Sequence, residues 1–198
     1  NVLEPVDVGV ANGTPFVIDV GMGPLATAVT KPDSNQKFHY GMFSYLKPLV
    51  ASLKKRPYKF KIAADGETFF IEACGIFVSN PPEIGIGQES NLKGIQDGYL
   101  NLCIMNPKEL DDYFRMAKKF SAWFIAGMTL DDMPYNTMKV KSVTIESMAP
   151  SKEPAFMNKV MDVPELPHKE LYINGERKLQ SMIDGDPFEY SPIEVSII

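Results

Sequence analysis

One short stretch of this sequence groups carboxylates closely enough to do chemistry. Asp184-Gly185-Asp186-Pro187 places two acids in a tight turn. Such a turn could offer one carboxylate to a cation and the other, as a general base, to a substrate hydroxyl. An Asp-Gly pair between apolar runs is also an ordinary hairpin signal, and taken alone that plain reading carries more weight. The same holds for Asp65-Gly66-Glu67 and Asp97-Gly98. No Gly-rich P-loop, Gly-x-Ser-x-Gly elbow, His-Glu-x-x-His or Cys-x-x-Cys occurs. The two histidines, His39 and His168, stand in segments without evident partners and read as surface or structural residues. Cys74 and Cys103 each lie in an apolar, strand-like run, where a thiol behaves as a small buried hydrophobe. They fit neither a metal knuckle nor a disulfide framework, which favours a reducing, cytoplasmic setting and leaves open one buried bond between them.

Mostly short strands must position these residues. Phe16 to Val20 reads as a strand that ends in the turn Gly21-Met22-Gly23-Pro24. Tyr58, Phe60 and Ile62 alternate with lysines up to Asp65-Gly66, and Phe69 to Val78 supplies the returning strand, apolar on both faces from Ala73 onward. That stretch predicts a central strand covered on both sides. After the Gly85-Ile86-Gly87 loop, Tyr99 to Met105 forms another strand, with Leu100, Leu102 and Ile104 on one face. Further strands are expected around Met138 to Met148 and Ile193 to Ile198, and a hairpin around Asn174-Gly175.

Two helices are predicted. Tyr40, Phe43, Leu46, Leu49, Val50 and Leu53 recur at helical spacing between Phe38 and Lys55, with a break at Pro48. Asn106-Pro107-Lys108-Glu109 then supplies an N-cap, a first-turn proline and a glutamate at the third position, opening a helix that extends to about Ile125. Ala149 to Pro167, rich in Pro, Lys and Glu without a sustained period, reads as a surface excursion between strands. Many strands, few helices and no βαβ alternation predict a mainly β fold: a two-layer sandwich or barrel-like domain with a few peripheral helices.

Composition narrows the function. The chain has 198 residues, 44% of them hydrophobic, enough for one substantial core over residues 1–198. Its formal charge of −5 is spread evenly, so the basic face that nucleic acids require is missing. No apolar run approaches the ~20 residues of a membrane-spanning helix, and the N-terminus carries no signal-peptide pattern. The chain therefore reads as soluble. It begins at Asn1 rather than Met, as expected of a processed protein or, the favoured reading, an excised domain.

The order of motifs along nearly the whole chain resembles the C-terminal half of the diacylglycerol kinase and sphingosine kinase family of lipid kinases. The resemblance starts with Asp7-Val8-Gly9-Val10-Ala11-Asn12-Gly13, followed by Phe16 to Val20 and Gly21-Met22-Gly23. This looks like the strand pair leading to the family's Gly-x-Gly-Phe-Asp-Ala turn. Ala26 fits that turn, whereas Pro24 and Leu25 depart from it, so the turn's aspartate is missing here. The Tyr45-containing helix, Pro57-Tyr58-Lys59-Phe60, Asn80, and Gly85 with Gly87 follow in the family's order. Asp97-Gly98-Tyr99-Leu100 is similar to its Asp-Gly-x-Leu motif, which lies at a structural metal site in bacterial members. Gln96 stands where an acid usually precedes that motif, and Glu89 and Asn91 do not align cleanly. Ile183-Asp184-Gly185-Asp186-Pro187, with Pro192-Ile193 after it, looks like the terminal Asp-Gly-Glu motif and closing strand.

The resemblance implies the C-terminal lobe of a lipid kinase, of the kind shared with NAD kinase-like folds, whose cofactors are ATP and Mg. By that resemblance Asp186 is the general base on the lipid hydroxyl, Asp184 belongs to the Mg–nucleotide network, and Asp97 is a metal ligand. The aspartate at 186 is one methylene shorter than the family's glutamate. The Gly-Gly-Asp-Gly-Thr motif of the family's N-terminal nucleotide-binding lobe does not occur, so the isolated lobe is expected to be inactive. The implied partners are that missing lobe and a lipid such as diacylglycerol, met through weak peripheral membrane contact from the cytoplasm. Phe43, Leu46, Leu49 and Leu53 could shape an acyl-chain groove, although facing the core is the simpler reading. Exposed sheet edges leave room for a homodimer. The competing reading is a non-catalytic β-sandwich binding or interaction module that keeps the fold without the chemistry.

Overall fold

The computed structural model describes residues 5–29, 51–80, 96–108, 112, 135–162, 164, 170–173 and 176–198. The clearest hairpin of the sequence forms as expected. In β4 (Tyr58–Ala64), Tyr58, Phe60, Ile62 and Ala64 are buried while Lys61 faces solvent, the period-two pattern of a strand with one wet face. Its partner β5 (Glu67–Ala73) pairs in register from Ala64 opposite Glu67 to Tyr58 opposite Ala73. Asp65 and Gly66 close the turn with φ of 47° and 91°. Positive φ at both central residues matches the right-handed twist of the flanking strands, which is why Asp-Gly is favoured there.

The returning strand does not run on to Val78 in one piece. It ends at Ala73, and β6 (Gly75–Ser79) begins in a different sheet. Cys74 makes the corner, its N–H donating to the Met105 carbonyl of β7 (Leu100–Met105) at 2.8 Å. A Cβ on Gly75 would stand 2.9 Å from that of Leu25, so only glycine fits this corner. Two other expected strands divide in the same way. The run from Phe16 to Val20 splits into β2 (Thr14–Phe16) and β3 (Asp19–Met22), and the 138–148 region into β8 (Tyr135–Val140) and β9 (Ser142–Pro150). In each case the chain passes from one sheet to the other.

The remaining strands are β1 (Gly9–Ala11), β10 (Glu170–Ile173), β11 (Glu176–Ile183), β12 (Asp186–Tyr190) and β13 (Ile193–Ile197). One sheet has six strands in the order β2-β1-β13-β9-β4-β5. The other has seven, in the order β10-β11-β3-β6-β7-β8 with β12 also paired to β11. All described pairings are antiparallel. The hairpin expected around Asn174-Gly175 is β10–β11, with Ile173 opposite Glu176. The sheets face each other across one core, to which the first contributes Phe16, Phe60, Ile62 and Ile145 and the second Val20, Val78, Leu102 and Leu179. Removing each large side chain of this set from water contributes about 1.5–3 kcal/mol. The fold is thus a mainly β two-sheet sandwich, open rather than closed into a barrel.

A second cluster covers the outer face of the seven-stranded sheet: Leu25, Ala26, Cys74, Phe77, Cys103, Met105 and Met182. Every residue of β6 and β7 is therefore buried, the doubly covered strand that the apolar run predicted. Short helices α1 (Ala26–Val29) and α2 (Phe156–Met161) complete the described elements. The second interrupts the Pro-rich excursion, where the sequence showed no helical period. Of the helix expected from Phe38 to Lys55, only residues from 51 onward are described, and 51–52 are helical. The helix expected after Asn106 lies mostly outside the described residues, as do Gly85, Gly87, Glu89, Asn91, His39 and His168.

Candidate active site

Antiparallel pairing gathers the residues singled out by the sequence at one end of the seven-stranded sheet. At this end β11 stops at Ile183, β12 starts at Asp186, β3 starts at Asp19, β6 runs out at Ser79 and Asn80, and Asp97-Gly98-Tyr99 leads into β7. Asp184 and Asp186 thus flank one turn, with φ of 47° at Asp184 and 90° at Gly185. Asp97 stands on the other side of β3 and β6.

The Asp184 carboxylate is occupied by backbone. Its Oδ1 accepts hydrogen bonds from the N–H groups of Ile18 at 2.8 Å and Asp19 at 3.1 Å, and its Oδ2 accepts one from Val17 at 3.0 Å. In return the Asp184 N–H donates to the Asp19 carbonyl at 2.8 Å. Residues 17 and 18 are where the chain crosses between the sheets and has no ladder partner. Asp184 supplies the acceptors that these amides would otherwise lack. Asp186 is exposed and pairs directly with Ile183. A directly paired residue shares its partner's face, so Asp186 lies on the core-side face, which Ile183 meets by packing against the core.

Asp97 is engaged elsewhere. Its Oδ1 accepts the Tyr99 N–H at 3.0 Å, and its Oδ2 pairs with the Lys139 ammonium at 2.6 Å. The Lys139 and Lys141 nitrogens lie 5.9 and 5.3 Å from the centre of the Tyr99 ring. Gly98 donates its N–H to Asp7 Oδ2 at 2.8 Å, and Gln96 reaches the Pro5 carbonyl.

A residue that sequence reasoning missed links the two ends of this array. Asp19, Ser79, Asn101 and Lys139 occupy directly paired positions on β3, β6, β7 and β8, a polar row across four strands on the outer face. Asn101 Nδ2 donates to the carbonyls of Ser79 and Asn80, and Asn80 Nδ2 to that of Asp7. Asp19 is only 7% exposed, and its Oδ1 has no hydrogen-bond partner. Burial, followed by the nearby Asp184 charge, raises its pKa from 3.8 to about 7. A carboxyl poised there exchanges its proton near neutrality, as acid–base groups of active sites do. Burial and Asp19 also push the Cys103 thiol up to about 12, which leaves it an inert apolar filler. The one sequence clue to Asp19 was a lone carboxylate inside the apolar run from Phe16 to Val20.

Asp184 and Asp97 are both engaged by partners within the protein. Magnesium takes oxygens at near-octahedral positions. Three N–H bonds occupy most lone-pair directions of Asp184, Asp97 is neutralised by Lys139, and among the described residues no three His, Cys, Asp or Glu side chains converge. The described groove of about 470 Å³ lies in the other sheet, between the Asn12-Gly13 and Asp65-Gly66 turns, lined among others by Ser142, Thr144 and Glu194.

This architecture defines a class: a two-sheet β lobe of the diacylglycerol kinase fold. A putative diacylglycerol kinase from Bacillus anthracis str. Sterne superposes on 98% of this chain with a TM-score of 0.58 at 19% identity. A further structure described as a diacylglycerol kinase from the same organism gives 0.56 at 20% identity, again over 98% of the chain. The chain spans about half the length of these structures, 54% of each. No protein-family model and no curated protein sequence matches it. The likeness lies in the fold that the motif order anticipated.

Proposed function

We propose that this chain is the acceptor-side lobe of an ATP- and Mg-dependent lipid kinase that phosphorylates a lipid hydroxyl such as that of diacylglycerol. The observation that carries the reading is the superposition of 98% of the chain on about half of the diacylglycerol kinase structures. In this reading Asp186, exposed at the start of β12, accepts the proton of the acceptor hydroxyl as it attacks. The nucleotide is held mainly by a separate lobe. One lobe cannot align nucleotide and acceptor alone, so the isolated chain is inactive. The enzyme works in the cytoplasm and meets its lipid by weak peripheral contact. No described helix is long and apolar enough to cross a membrane.

The experiment is transfer of labelled phosphate from Mg-ATP to diacylglycerol in vesicles by the full-length protein and its Asp186→Asn variant. Removal of the base is expected to slow turnover roughly 10²–10⁴-fold. An unchanged rate sinks the role of Asp186. A second reading, a binding module that keeps the fold without catalysis, is favoured by the commitment of Asp184 and Asp97 to internal partners. It predicts no transfer by either protein.

A further inference from the structure

We propose that Asp184 is a positioning residue: its carboxylate clamps the Asp184-Gly185-Asp186 turn onto the crossover between the two sheets and so sets where Asp186 stands. The consequence for turnover rests on the reading of Asp186 given above, whereas the clamp itself does not. Three observations carry it. The carboxylate reaches across more than 160 residues of sequence to three consecutive amides, at 2.8–3.1 Å. The reciprocal bond from the Asp184 N–H to the Asp19 carbonyl fixes the turn's own backbone to the same segment. Asp186 follows two residues later, locked by its pairing with Ile183.

The same device recurs elsewhere in the fold. Asp65, in a turn of matching backbone shape, accepts the N–H groups of Lys141 and Ser142 at 2.8–3.1 Å, where the chain crosses from β8 to β9. Asn12, with φ of 45° before Gly13 at 83°, accepts the Glu194 N–H at 2.8 Å, just after the passage from β12 to β13. The fold thus uses an Asx-Gly turn three times to hold a passage between its sheets. A positive φ turns the Asx side chain toward a neighbouring segment and away from its own ladder, which suits it to this work. The Asp65 turn also carries an exposed carboxylate two residues on, Glu67, so the clamp is a device of the fold, and it is the role proposed for Asp186 that gives the Asp184 clamp a consequence for turnover.

The test measures amide hydrogen exchange and phosphoryl transfer on the full-length protein with Asp184→Ala, Asp184→Asn and Asp186→Asn. Asparagine keeps one carbonyl oxygen, which can stand in for Oδ1 toward Ile18 and Asp19 but loses the acceptor for Val17. Loss of a hydrogen bond is expected to speed exchange roughly tenfold at the affected amide: at residues 17, 18 and 19 in Asp184→Ala, and at Val17 alone in Asp184→Asn. Asp186→Asn should change none of them. In turnover, Asp184→Ala should lower kcat with KM for ATP unchanged, and Asp184→Asn should recover most of the loss. Unaltered exchange in Asp184→Ala overturns the clamp. An Asp184→Asn protein that exchanges as expected but is as slow as the alanine variant, with a raised KM for ATP or a raised Mg²⁺ requirement, overturns the positioning role in favour of a ligand role. If alanine prevents folding, the asparagine pattern decides alone. Exchange that follows the expected pattern while turnover ignores Asp186→Asn supports the clamp and overturns the role of Asp186 instead, and exchange that follows it with no transfer by any of the proteins overturns the lipid-kinase reading.

Discussion

Replacing Asp19 by asparagine should make the protein more stable as pH rises. The side chain keeps its shape, so the change isolates the cost of holding a charge in a site that is 7% exposed and adjoins Asp184. The folded-state pKa, about 7, lies above the unfolded value of 3.8. Between the two, the native protein holds a proton that the unfolded chain has released, so wild-type stability falls with rising pH and levels off above about 7. At 1.36 kcal/mol per unit, the full span amounts to ~4 kcal/mol, of which ~3 kcal/mol falls between about pH 4.5 and pH 8. The assay is urea unfolding of both proteins across that range by far-ultraviolet circular dichroism. Taking the difference between the two at each pH cancels the other titrating groups. The expected curve shows near-equal stability at the acid end and a growing advantage of Asp19→Asn toward neutrality. A difference that does not change with pH would refute the claim that Asp19 is buried without a compensating partner.

Two glycines should separate crowding from backbone strain. In Gly21→Ala the new methyl would stand 2.9 Å from the Phe77 ring and 3.0 Å from Ala26, costing about 1–3 kcal/mol in denaturant unfolding. Gly66→Ala meets no atom within 4 Å, so its cost, about 1 kcal/mol, comes from φ of 91° alone. Asp65→Ala should destabilise by roughly 1 kcal/mol through the loss of acceptors for Ser142 and Lys141. Those bonds, Ser142 first, hold the Asp65 pKa below its usual value. Its contribution is therefore present above the unfolded pKa and lost as pH falls through the folded one, which acid titration of the variant against wild type would reveal. Cys103 should resist thiol reagents in the native protein and react once guanidine unfolds it, and rapid native labelling would contradict its burial.

Much of this protein can be read locally. The alternation of Tyr58, Phe60 and Ile62 with lysines, closed by Asp65-Gly66, specifies a hairpin because side-chain period and turn chemistry act over a few residues. The Asn174-Gly175 hairpin and the apolar strands β6 and β7 follow by the same reasoning, and the order of motifs anticipated the fold. Where the chain leaves one sheet for the other could not be read in this way. Near residues 17 and 74 the apolar run continues across the crossing, because both sheets bury the same kinds of side chain, and near 141 only the adjacent polar pair Lys141-Ser142 interrupts the alternation. What divides each run is a partner distant in sequence, such as Asp184 for 17–19, the Met105 carbonyl for Cys74, and Asp65 for 141–142.

The candidate site divides the same way. Its sequence determined that Asp184 and Asp186 share one turn, since two residues cannot be far apart. Tertiary structure alone decided that the first carboxylate would be taken up by backbone while the second stays exposed. It also decided that Asp19, one acid in an apolar run, would hold its proton near neutrality. Both outcomes depend on how much water and which amides surround a carboxylate, and that is settled only when distant strands meet.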